Sequence, residues 1–98
     1  MLNLKMARWI IMDKDRTVIA KGTVRDRHLI PVDKTDDKKR ILYYTTKNKA
    51  KSAFRDYGFY TYEVPLNAKN LAEERQLEDA LLKSLRAVKV EITIREIE

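Results

Sequence analysis

From Val88 to Arg95 apolar and polar residues alternate without a break, with Val88, Val90, Ile92 and Ile94 on one side and Lys89, Glu91, Thr93 and Arg95 on the other. Only an extended chain, whose side chains repeat every second residue, keeps such a pattern on one face, so this segment is a half-buried β-strand. A strand needs neighbours, and the residues before it must supply them. With 98 residues, 44% of them hydrophobic, there is room for one core, because domains cluster near roughly 100–150 residues. The expected organisation is a single small domain over 1–98 with no internal repeat. Residues 1–5 are either an upstream start or a loose arm, since Met6 opens directly onto a strand-like run.

Residues 7–12 and 17–21 are β-rich runs joined by Asp13-Lys14-Asp15-Arg16, a polar turn suited to a hairpin. A third strand is predicted over 27–32, where Pro31 argues for an edge or a bulge, and a polar loop leads from it to a fourth over 40–45. Thr46 suits a helix N-cap and Gly58 a C′ position, and Ala50, Ala53, Phe54 and Tyr57 between them share a face, which predicts a helix over 47–57. Strand character returns over 59–64. Asn70, followed by Glu73 at the capping-box spacing, opens a second helix over 71–86, in which Leu71, Leu77 or Glu78, Leu81 and Leu85 face a sheet. The predicted fold is α+β, a mainly antiparallel sheet covered on one face by two helices, in the order ββββαβαβ.

Charge is unevenly placed. The net charge is +6, yet residues 1–62 hold 15 Lys/Arg against 7 Asp and no Glu, whereas residues 63–98 hold 6 Lys/Arg against 8 acidic residues. A one-sided basic balance points to an anionic partner, of which nucleic acid is the commonest. The sharpest feature is the first predicted helix, where Lys47, Lys51 and Arg55 stand four residues apart beside the apolar face. Such a stripe strains itself by like-charge repulsion, which a phosphate backbone would relieve; the alternative is an ordinary solvated face. Lys49, Arg25, Arg27, Lys38, Lys39 and Arg40 are the other candidate contacts, Arg25 and Arg27 sharing one side of an extended stretch.

Catalytic chemistry finds little to work with. No cysteine is present, which removes thiolate nucleophiles, thiolate metal sites and disulfides and fits a cytoplasmic setting. His28 is the only histidine, with no Ser or Cys placed beside it. Asp33, Asp37 and Lys39 superficially match the carboxylate pair and lysine of a magnesium-dependent nuclease, with Lys38 between the last two, but all fall in one polar loop. Asp13-Lys14-Asp15 lacks the glycine and distal glutamate of a calcium loop, and two glycines make no phosphate-binding loop. The longest early apolar run, Trp9-Ile10-Ile11-Met12, is far short of a membrane span. No enzyme activity, cofactor, metal, membrane association or small-molecule substrate is therefore expected.

Aromatic residues crowd into Tyr43, Tyr44, Tyr57, Phe59, Tyr60 and Tyr62. The run Arg55-Asp56-Tyr57-Gly58-Phe59-Tyr60-Thr61-Tyr62 is similar to the aromatic strand motif of RNA-recognition-motif domains, departing from it at Asp56 and Tyr60. The resemblance implies that Tyr57 and Phe59 stack on bases. It also implies a βαββαβ order, which the predicted elements do not follow, so the packing reading places Phe59 and alternate tyrosines in the core instead.

The expected function is a non-catalytic binding module for an anionic macromolecule, either nucleic acid or a nucleoprotein. The alternative is a small interaction protein on an acidic or nucleic-acid-bound target, such as a phage or mobile-element inhibitor of a host nuclease, of the anti-CRISPR kind. The alternating C-terminal strand or the second helix would serve a homodimer, while its charged outer residues serve a monomer equally well.

Overall fold

The computed structural model describes residues 2–34, 38–56 and 58–97. Six elements follow in the order β1 (Asn3–Asp13), β2 (Val18–Gly22), β3 (Arg27–Pro31), α1 (Lys47–Asp56), α2 (Leu71–Lys83) and β4 (Leu85–Arg95). They form an α+β fold whose four-stranded antiparallel sheet has the spatial order β3-β2-β1-β4. The alternation at the C-terminus does become a strand, and it lies along the first one. β4 pairs with β1 over its whole length, from Leu85 opposite Asp13 to Arg95 opposite Asn3. Asn3, Leu4 and Lys5 are therefore strand residues rather than a loose arm.

Three differences from the predicted order have physical causes. Residues 40–45 and 59–64, expected as full strands, contribute single bridges only. The first of these runs wedges between β1 and β2 where the hairpin opens: the Gly22 N–H donates to the Arg40 carbonyl (2.8 Å), the Leu42 N–H to Ala20 (3.1 Å), and Trp9 and Tyr44 exchange both backbone bonds at 2.8 Å. The second lies parallel to β3, with the Leu29 N–H on the Tyr60 carbonyl and the Tyr60 N–H on that of Arg27, both at 2.9 Å. These bonds satisfy backbone that the short strands leave open. The third difference is α2, which ends at Lys83: the Ser84 N–H and hydroxyl both donate to the Leu81 carbonyl, and Leu85 leaves the helix to open β4 as a buried residue.

The core collects Ile11, Val18, Ala20 and Leu29 from the first three strands, Leu85 from β4, Ala50 and Ala53 from α1, and Phe59. Ile10, Ile19 and Ile30, on the opposite side of the same strands, are buried too. Thr46 caps α1 as predicted, its hydroxyl accepting from the Lys49 N–H at 3.2 Å, and the helix rests against β1 and β4 on two alanines that allow close approach. Asn70 caps α2 in the same way through the Glu73 N–H at 2.9 Å. α2, however, does not lie flat on the sheet. It buries no residue completely; Leu81 and Leu82 pack half-buried against the core, while Leu71 is 61% exposed. Gly58 is not a left-handed C′ residue, since the only glycine with positive φ is Gly22, and Tyr57 lies outside the described residues.

Two turns hold the β1–β2–β3 meander. In the first, the buried Asp13 carboxylate accepts from the Thr17 N–H (2.7 Å), the Thr17 hydroxyl (2.5 Å) and the Val18 N–H (3.0 Å). Burial raises the pKa of this carboxyl, but the bonds from Thr17 and Val18 outweigh burial and leave it below the usual Asp value. In the second, Gly22 has φ 119°, and a Cβ there would stand 2.1 Å from the Asp26 carbonyl oxygen.

Asp13→Ala should cost about 1–3 kcal/mol in urea unfolding at neutral pH, the penalty for leaving buried donors unmatched. Because folding lowers the Asp13 pKa, its contribution is present above the ordinary carboxylate value and is lost as pH falls through the lowered one. The gap between variant and wild type should therefore close in acid; a gap independent of pH would refute the assignment. Gly22→Ala should destabilise by about 1–3 kcal/mol through strain at a positive φ. Gly58→Ala, with nothing within 4 Å of the added Cβ, should be close to neutral in the same thermal melts.

Candidate nucleic-acid interface

The basic stripe of α1 follows from the helix's own packing. Ala50 and Ala53 are buried and Phe54 half-buried, which turns Lys47, Lys51 and Arg55 to the exposed side. Four-residue spacing stacks them one turn apart along about 12 Å of helix. The ammonium of Lys47 also sits over the Trp9 ring, 5.7 Å from its centroid, a cation–π contact that steadies the start of the stripe. Like-charged neighbours and a positive helix N-terminus raise the potential here.

Arg25 and Arg27 do not form the surface pair expected from the extended stretch. Arg25 is exposed in the bend before β3, whereas Arg27 is 5% exposed and its Nη1 donates to the Ala53 carbonyl at 3.0 Å. That carbonyl is among the last four of α1, which have no partner inside the helix, so the guanidinium both satisfies it and meets the negative end of the helix dipole. Arg27 thus ties β3 to α1. It still borders two hollows: one of about 370 Å³ with Tyr44, Asn48, Lys49 and Ser52, and one of about 390 Å³ with Val24, Arg25 and Gly58. Burial raises the pKa of Tyr44, and the charge of Arg27 lowers it in part. The first hollow accordingly joins a buried guanidinium, an exposed ammonium and neutral polar groups, a lining that suits an anion.

The remaining basic candidates are divided. Lys38 and Arg40 are exposed, and the Arg40 carbonyl accepts from the Gly22 N–H. Lys39 and Lys34 both reach Glu63, one on each carboxylate oxygen at 3.3 Å. Half-exposed pairs of this kind contribute at most about 1 kcal/mol, but they commit Lys39 to tying the loop to residue 63. Asp37, the middle of the nuclease-like spacing, lies outside the described residues. Among the described residues no three His, Asp or Glu side chains gather to hold a metal, and no helix is long and apolar enough to cross a membrane.

The aromatic residues split by strand parity. Phe59 is 8% exposed and belongs to the core, so it is not available for the base stacking that the RNA-recognition-motif resemblance implies. The element order, βββααβ, also differs from that family's. Tyr60 and Tyr62 stand out instead, 53% and 71% exposed. Their rings lie 5.0 and 5.4 Å from that of His28, itself buried, and 6.1 Å from each other. His28 Nε2 is 3.2 Å from Asp26 Oδ1 but out of line for a hydrogen bond, so among the described residues neither ring nitrogen has a hydrogen-bond partner. Beside these tyrosines a hollow of about 560 Å³ opens between residues 59–68 and α2, bordered also by Glu74 and Glu78. Sequence reading missed this second feature, though the alternation of Phe59 with Tyr60 and Tyr62 carried its signal. The exposed face of α1 is thus basic, while the hollow beside α2 is lined by tyrosines and carboxylates. Compared with family models, curated proteins and solved structures, the chain matches none.

Proposed function

We propose that this protein is a cytoplasmic, non-catalytic binding module that engages an anionic macromolecule, nucleic acid first, through the exposed face of α1. The observation that carries this reading is the outward row of Lys47, Lys51 and Arg55, forced by the inward burial of Ala50 and Ala53. Lys49 and the hollow over Arg27 lie on the other flank of the same exposed helix, and Arg25, Lys38 and Arg40 are further exposed positive charges. Contacts from this set go to phosphates, giving affinity and salt dependence with little base discrimination.

A second reading has one specific observation in its favour. Two exposed tyrosines over a hollow bordered by carboxylates resemble the centre of a protein-binding surface, where tyrosine is enriched. On that reading the module docks on a protein, such as a nuclease or a nucleoprotein complex, and inhibits it by occupying its surface.

Anisotropy of labelled single-stranded DNA, duplex DNA and RNA, titrated from low to physiological salt, separates the two. Binding should weaken log-linearly with salt, Lys51→Ala should reduce the duplex-DNA slope by about 1, and joint Lys47, Lys51 and Arg55→Glu substitution should abolish binding. Trp9, the only tryptophan, lies under Lys47, so its emission should change on binding. No nucleic-acid binding at low salt would overturn the proposal and leave the protein-docking reading.

A further inference from the structure

We infer that the outer half of β4 is a self-association edge on which a second copy of this chain pairs antiparallel, about a two-fold axis near Thr93. The two edges of the sheet are finished differently. β3 ends in Pro31, and two of its backbone groups, the Arg27 carbonyl and the Leu29 N–H, are already taken by Tyr60, both devices that block further strand addition. β4 has neither: it carries no proline and no positive-φ residue, and its register with β1 is unbroken over its whole length. Among the described residues no backbone–backbone bond outside its ladder with β1 involves Leu85–Arg95, and the one side-chain bond to that backbone, from Arg86 Nη1 to the Leu85 carbonyl, lies at the far end from Thr93.

This edge belongs to a ribbon that the rest of the fold does not support. Among the described residues only β4 pairs with residues 3–8 of β1, because β2 and the wedge of residues 40–44 join β1 no earlier than Trp9. The molecule measures 55 × 30 × 24 Å. One face of the ribbon carries Leu4 opposite Ile94 and Met6 opposite Ile92, with Leu4 47% and Ile94 42% exposed. A two-stranded ribbon is marginal in water, and an added strand on its open side supplies what it lacks.

Charge selects the partner. The other face of β4 reads Lys89, Glu91, Thr93 and Arg95, plus, minus, neutral, plus. An antiparallel copy centred on Thr93 sets Glu91 opposite Arg95 of the second copy, twice, with Thr93 facing Thr93 and Ile92 facing Ile94. Opposite charges, Thr–Thr and apolar pairs are the favourable cross-strand neighbours. Parallel pairing in register would instead set like charge against like. A second copy read this way is isologous, and the contact closes.

The test uses the chain's lack of cysteine and no nucleic acid, so it is independent of the proposed function. Wild-type protein should pass from monomer to dimer with concentration in sedimentation velocity. Glu91→Lys alone and Arg95→Glu alone should each stay monomeric, and an equimolar mixture of the two should restore the dimer as a heterodimer. Under mild oxidation Thr93→Cys should become a disulfide-linked dimer, since residues opposite each other across antiparallel strands fall within disulfide reach, while Lys14→Cys in the hairpin turn should remain a thiol. A wild type that stays monomeric up to its solubility limit, single variants that dimerise like wild type, or cross-linking at residue 93 no faster than at residue 14 would each overturn the inference.

Discussion

The pairing of β1 with β4 is the contact on which the rest of the molecule depends, because it sets the first described strand against the last. Every other element is placed relative to that ladder: β2 and β3 turn back from the end of β1, α1 lies on the face it shares with β4, and α2 delivers the chain to Leu85. Through Leu85 and Ile11, the ladder also supplies core residues from opposite ends of the chain. Its closure entropy is repaid only by burial on the inner half of the ribbon, so the outer half rests on cross-strand pairs alone.

Arg27 shows how one charged residue serves the fold and still bears on the surface. A buried guanidinium is costly unless its donors are used, and here the Ala53 carbonyl uses one of them. The same bond fixes the end of α1 against β3, and with it the direction in which the lysine stripe points. Mutations at Arg27 therefore report on helix placement before they report on ligand contacts, unlike those at Lys47 or Lys51.

Much of this architecture was legible in the residues. The polar tetrad after Met12 marked the hairpin, the alternation from Val88 marked β4, and Thr46 and Asn70 marked both helix starts, because each is a local pattern with one good solution. What local pattern could not say was how elements meet. Residues 40–45 have strand composition, but their neighbours diverge, leaving room for a wedge rather than a ladder. Leu85 fits helical spacing after Leu81, yet pairing with Asp13 at the base of the hairpin wins it for the strand. Arg27 has the same parity as Leu29, so its inward side was readable; its partner on α1, far off in sequence, was not. The basic side was visible as composition, whereas the tyrosines over His28 needed the fold to bring residues 28, 60 and 62 together.

The wedge formed by residues 40–44 also bears on how the chain is made. Ribosomal synthesis runs from β1 toward β4, so Trp9, Ile10 and Ile11 emerge long before Leu85 and Ala87 exist to cover them. During that interval Tyr44 is the residue that can meet Trp9, closing two backbone bonds as soon as the first half of the chain is out. The wedge can thus cover the β2-side edge of inner β1 once the first half of the chain is out, whereas the opposite edge stays open to non-native strand pairing until β4 has been made.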